Sequence, residues 1–150
     1  MAAIEFDRDD LTADRDDRTP NVVNVLPVIP PERPLLAHMY SDQETEVILE
    51  WRDRSWVGHS PAGDSDAAAA AATLDALQSI LPGSEPRLDW IDTTTPGAAA
   101  PHPFITVVVS VSNQSFVGSS FVRGDPRVAA ARAVLASLNR YFARMTAAAV

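Results

Sequence analysis

The sequence predicts an α+β fold made of two tandem, pseudo-symmetric units, each of three antiparallel strands followed by a helix on one face. Three observations predict it. The segment Glu46–Gly58 matches Ile105–Gly118, with 60 residues between Val57-Gly58 and Val117-Gly118. An offset of 61 then relates Gly63-Asp64 to Gly124-Asp125, Leu74 to Leu135 and Leu77 to Leu138. Each copy also passes from β-branched and apolar runs to an Ala-rich stretch with apolar residues spaced by three and four. An internal match of this length implies a duplicated supersecondary unit whose copies pack together.

Residues 1–33 read as a tail. They hold eight acids and four Arg, a net −4 of the chain's −8, with no apolar stripe in Asp7–Arg18. Such a composition cannot bury enough surface to offset the entropy of ordering. Pro20, Pro27, Pro30, Pro31 and Pro34 punctuate the short apolar run Val22–Ile29, and prolines so dense fit neither a helix nor a central strand. Val22, Val23, Val25, Leu26 and Val28 are the residues through which this segment would dock on a protein partner. The other readings are a solvated linker and an edge strand.

The folded region is expected over 34–147, with a first unit at 34–83 and a second at 86–147. In the first unit, Leu35–Tyr40, Thr45–Trp51 and Ser55–Ser60 are strands. A tight turn stands at or beside Arg52-Asp53, and Pro61–Ser65 is a loop. A helix runs from about Asp66 to Leu81, favoured by the Ala68–Ala72 run and ended by Pro82-Gly83. In the second unit, Arg87–Asp92 is a short strand, 93–103 a loop and Phe104–Val111 a central strand. Asn113-Gln114 is expected at the hairpin turn, and Ser115–Val122 returns. Asp125-Pro126 opens the last helix with Asp at the N-cap and Pro at the first helical position. That helix is expected to continue to about Thr146, with Val128, Ala131, Val134, Leu135, Leu138 and Phe142 on one face.

Composition narrows the function. The chain has 150 residues and no Cys, which removes disulfides, thiolate metal sites and Cys nucleophiles. All twelve cations are Arg, which with abundant Ala and Asp reads as the codon bias of a GC-rich bacterial genome. The charge of −8 argues against a general affinity for nucleic acid or anionic membranes. No apolar run approaches the roughly 20 residues of a membrane span. The acidic start lacks the apolar core of a signal peptide, so the cytoplasm is the expected location.

No catalytic pattern accompanies the repeat. His38, His59 and His102 have no metal-ligand spacing, and His59 aligns with Ser119. No Gly-x-Ser-x-Gly elbow is present. The chain is therefore expected to be no enzyme and to use neither metal nor cofactor. Trp56 and Phe116, partners in the repeat, read as core or interface residues. The two strand-to-helix turns remain as candidate sites. Gly63-Asp64 and Arg123-Gly124-Asp125 serve as positive-φ turns and helix caps. Amide groups exposed there would also help hold a small ligand, its carboxylate on N–H groups and its amino group on Asp.

The stretch Ser115-Phe116-Val117-Gly118-Ser119-Ser120-Phe121-Val122-Arg123-Gly124-Asp125-Pro126, leading into the Ala-rich Arg127–Arg140, resembles the carboxy-terminal regulatory domain of 2-isopropylmalate and citramalate synthases. The order of strand, Gly-containing turn and Ala-rich helix ending near Leu-Asn is the same. The likeness covers about 35–146 in topology and 104–140 in residue pattern. It implies a free-standing effector-binding module that binds a branched amino acid between its two units and forms a homodimer. The synthase barrel and its metal-binding histidines are absent from this chain. A protein-interaction or assembly module with a docking tail is the alternative. A double-stranded-RNA-binding domain shares the three-stranded sheet, but Arg127 and Arg132 lack the Lys partners of its basic helix start.

Overall fold

A computed structural model describes residues 33–61, 63, 65–98 and 101–148, with side chains as far as Met145. Strand β1 (Leu35–Ser41), β2 (Thr45–Trp51) and β3 (Arg54–Ser60) form one antiparallel sheet in that order. Helix α1 (Asp66–Ile80) follows. Strands β4 (Arg87–Thr94), β5 (Phe104–Val111) and β6 (Gln114–Phe121) form a second antiparallel sheet, followed by α2 (Pro126–Ser137) and α3 (Asn139–Ala148). The expected α+β fold of two βββα units is what the chain adopts.

Alternation decides which sheet face is covered. Thr45, Val47 and Leu49 of β2 are buried, as are Ile105, Val107, Val109 and Val111 of β5. Each fully buried Val, Leu or Ile contributes roughly 1.5–3 kcal/mol of transfer free energy. Helix α1 lies on β2 and β3, and α2 lies on β5 and β6. The two helices also pack on each other, with α1 reaching β4 and α2 reaching β1, so one continuous core results. This multiple packing accounts for the alanines. Ala68, Ala69, Ala70, Ala72 and Ala76 of α1 are fully buried, and only small side chains let neighbours approach a helix on several sides at once.

The closest approaches are at Gly58 and Gly118. A Cβ on Gly58 would stand 2.1 Å from the Ala72 carbonyl oxygen and 2.4 Å from the Ala76 nitrogen. On Gly118 it would stand 2.2 Å from the Ala133 oxygen and 2.4 Å from the Ser137 nitrogen. The offsets of 60 for strands and 61 for helices therefore hold in space as well as in sequence. Both hairpins turn through two successive positive-φ residues, Arg52 and Asp53 (54° and 62°), then Ser112 and Asn113 (52° and 66°). Two such residues match the right-handed twist of the flanking strands.

Four features differ from the sequence expectation. The second hairpin turns at Ser112-Asn113, one residue before the expected Asn113-Gln114, because its register copies the first. Both first strands carry a bulge. The pairing of β1 with β2 slips between Leu36 and His38, and that of β4 with β5 slips between Leu88 and Trp90, leaving Ala37 and Asp89 as the extra residues. Helix α1 is capped by Ser65, whose side chain accepts from the Ala68 N–H, rather than by an Asp. The final helix is not continuous to Thr146. It breaks at Leu138, whose N–H bonds Leu135, and restarts as α3. The break turns Phe142 into the core, fully buried, edge-on to Trp51 at 5.5 Å between ring centroids. Tyr141 meets Phe116 in the same way at 5.9 Å.

Candidate functional site

The two strand-to-helix turns are built as caps. The Asp125 carboxylate accepts the Arg127 N–H at 2.9 Å and binds the Arg127 guanidinium at 2.9 and 2.7 Å. That side-chain bond lowers the Asp125 carboxyl below its usual range; burial opposes it, and the backbone bond and the Arg127 charge add to the lowering. Gly124 holds a φ of +155° and Gly63 a φ of +95°. The Gly63 carbonyl accepts the buried Thr45 hydroxyl at 2.6 Å. The Arg123 guanidinium lies 5.9 Å from the Phe121 ring centroid. Arg123, Gly124 and Asp125 thus share one turn, with the Asp125 carboxylate committed to Arg127. Asp64, and the docking residues Val22, Val23, Val25, Leu26 and Val28, lie outside the described residues.

The histidines fall on separate features. His38 stacks on Tyr40 at 6.1 Å on β1. His59 Nδ1 stands 3.9 Å from Glu44 and 3.8 Å from Glu46. Among the described residues no group of three His, Asp or Glu is placed to hold a metal ion. No helix among them is long and apolar enough to cross a membrane.

The difference between the copies lies along the outer edges of β3 and β6. In the first copy the His59 N–H donates to the Asp75 carboxylate of α1 at 2.8 Å. His59 pairs with Glu46 as Ser119 pairs with Thr106, so the shared register turns the Ser119 N–H to the same side. The residue of α2 matching Asp75 is Ala136, whose methyl group accepts nothing. One helical turn earlier, Ala71 of the first copy is matched by Arg132, which is exposed. A cavity of about 410 Å³ lies here, lined by Ser119 and Ser120 of β6, Arg132 and Ala136 of α2, and the entry to β1 at Arg33–Leu36. It is thus formed between the two copies. Arg33 is held at its rim by a 3.0 Å bond to Asn139.

In the sequence Ser119 and Arg132 stood out only as a repeat partner and a helix-start cation, and were not singled out with Ala136 as a site. The signal was present in the offset of 61, which lays Ala71–Asp75 on Arg132–Ala136. Its meaning depended on where the His59 N–H points.

A second contrast concerns the uncovered sheet faces. On the second sheet Trp90, Val117 and Phe121 are 50%, 66% and 51% exposed, and the Val108 row joins Trp90 to Val117. On the first sheet the corresponding row is His38, Ile48 and Val57, with Glu46 and Glu50 beside it. No protein-family model matches this chain, and no curated protein matches it in sequence.

Proposed function

We propose that this chain is a non-catalytic module that binds a small-molecule effector, as its resemblance to the synthase regulatory domain implies. The observation that carries the reading is the cavity between β6, α2 and the start of β1. Its volume falls within the roughly 300–1,000 Å³ of small-molecule sites. It joins residues of both copies, which is where the resemblance implies an effector would sit. The cavity supports the reading better than the Gly63 and Gly124 turns do, because the Asp125 carboxylate is already paired. A cytoplasmic location and homodimer formation belong to the same proposal.

A thermal-shift screen of amino acids, carboxylic acids, acyl-CoA compounds and nucleotides tests it. A ligand present at a hundredfold its dissociation constant adds about 2.7 kcal/mol to the folded state and raises the midpoint. The exposed Trp90, Val117 and Phe121 favour a second reading, a protein-interaction or assembly module. That reading stands if no small molecule moves the midpoint while the full chain sediments as a dimer or co-purifies with another protein.

A further inference from the structure

We propose that the cavity beside β6 is a carboxylate site, specific for an acid with a short aliphatic tail. The inference rests on reading this cavity as a ligand site, and it names the chemistry. The chain supplies its own template. In the first copy a carboxylate from α1, that of Asp75, accepts the edge N–H of His59 at 2.8 Å. In the second copy the matching N–H, of Ser119, faces Ala136 and a cavity. Ser119 is exposed, so its edge N–H is open to an incoming acceptor, and a charged acceptor makes the stronger bond.

The helix has changed charge along with the vacancy. The pair Ala71 and Asp75 is replaced by Arg132 and Ala136, so the carboxylate is lost where a guanidinium is gained. Arg33 stands at the rim, and among the described residues no acidic one lines the cavity. A carboxylate entering there meets the Ser119 N–H and the planar donor fork of Arg132. Leu35, Leu36 and Leu135 line the remainder and suit a branched aliphatic tail. With no acid among the described lining residues, an α-amino group gains no ion pair there, while Arg132 and Arg33 oppose its charge, so it adds little to affinity.

The test is a titration of the full-length protein with 4-methylpentanoate, followed by the amide resonance of Ser119. Saturable movement of that resonance is expected. The uncharged 4-methylpentanamide should need at least about tenfold higher concentration, and leucine should bind no tighter than the simple acid. Ala136→Asp restores the first copy's carboxylate and should abolish binding with the fold intact by circular dichroism. Should that variant fail to fold, Arg132→Ala should weaken binding by about tenfold or more. Equal binding of acid and amide, tighter binding of leucine than of the acid, or binding that survives Ala136→Asp overturns the carboxylate assignment. So does a Ser119 resonance that never moves. The effector reading is overturned separately, only if the broader thermal-shift screen also finds nothing.

Discussion

The first copy, residues 34–83, holds eight acids and two Arg; the second, residues 86–147, holds three acids and six Arg. Two units of one topology thus carry opposite net charges, and long-range attraction favours their packing. Against that divergence stand the features both copies share. They are the glycine under the helix, the paired positive-φ turn and the bulge in the first strand. Each answers a geometric demand that no surface change relaxes. The charges, the caps and the edge contacts answer no such demand, and there the copies differ. The difference teaches that the shared positions carry the fold, while the altered ones, above all Asp75 and Ala136, are where a separate role for the second copy is to be sought.

The largest break in the comparison should come from the shared glycines. Gly118→Ala places a methyl carbon 2.2 Å from the Ala133 carbonyl oxygen, and Gly58→Ala places one 2.1 Å from that of Ala72. These obstacles are helix backbone, so neither can move aside cheaply. Each substitution should cost about 4 kcal/mol or more, beyond the usual cost of overpacking. Gly63→Ala meets nothing within 4 Å and is strained only by its φ of +95°, so about 1–2 kcal/mol is expected. Urea denaturation of the three variants checks the order. Equal losses at Gly63 and Gly118 would mean that the close helix–strand contact is not what the glycine serves.

Much of this was legible in the sequence, for identifiable reasons. Apolar and β-branched runs in Thr45–Trp51 and Phe104–Val111 marked the strands, though not which face is covered, and the three- and four-residue spacing of apolar residues placed both helices. The repeat even contained the correct second turn, since an offset of 60 carries Arg52-Asp53 onto Ser112-Asn113. The bulges at Ala37 and Asp89 left no mark, because neither is a glycine and the slip is set by pairing across strands. The break at Leu138 also lacks a Pro or Gly. It is imposed by tertiary packing, which draws Phe142 under Trp51. The edge site needed two facts that sequence does not state: the direction of one N–H and the loss of its acceptor.

The second prediction removes what the second copy has alone. Helix α3 has no counterpart after α1, where the chain turns away at Pro82-Gly83. Phe142 is fully buried and touches both Trp51 and Tyr141. Phe142→Ala should therefore destabilise by about 3–5 kcal/mol. Near-ultraviolet dichroism should show Trp51 released from its asymmetric environment. A loss below about 1 kcal/mol would mean that α3 is an appendage rather than part of the shared core.

The smallest expected effect distinguishes the two caps. Ser65 caps α1 without charge, whereas Asp125 caps α2 with a carboxylate held by Arg127. The folded-state carboxyl of Asp125 lies below its usual range, so it binds protons less readily than in the unfolded chain. Its contribution is therefore present above the unfolded value and lost as pH falls through the lower, folded one, which places the loss below about pH 4. The group is partly exposed and screened, so the effect is small. Asp125→Asn keeps a good N-cap but removes the ion pair. The variant should show a shallower fall in thermal midpoint between about pH 4 and pH 2 than the parent, whereas Ser65→Ala should lower the midpoint by a similar amount at every pH. If Asp125→Asn leaves the acid limb unchanged, the Arg127 pair contributes nothing to the α2 cap, and the two copies begin their helices on equal terms.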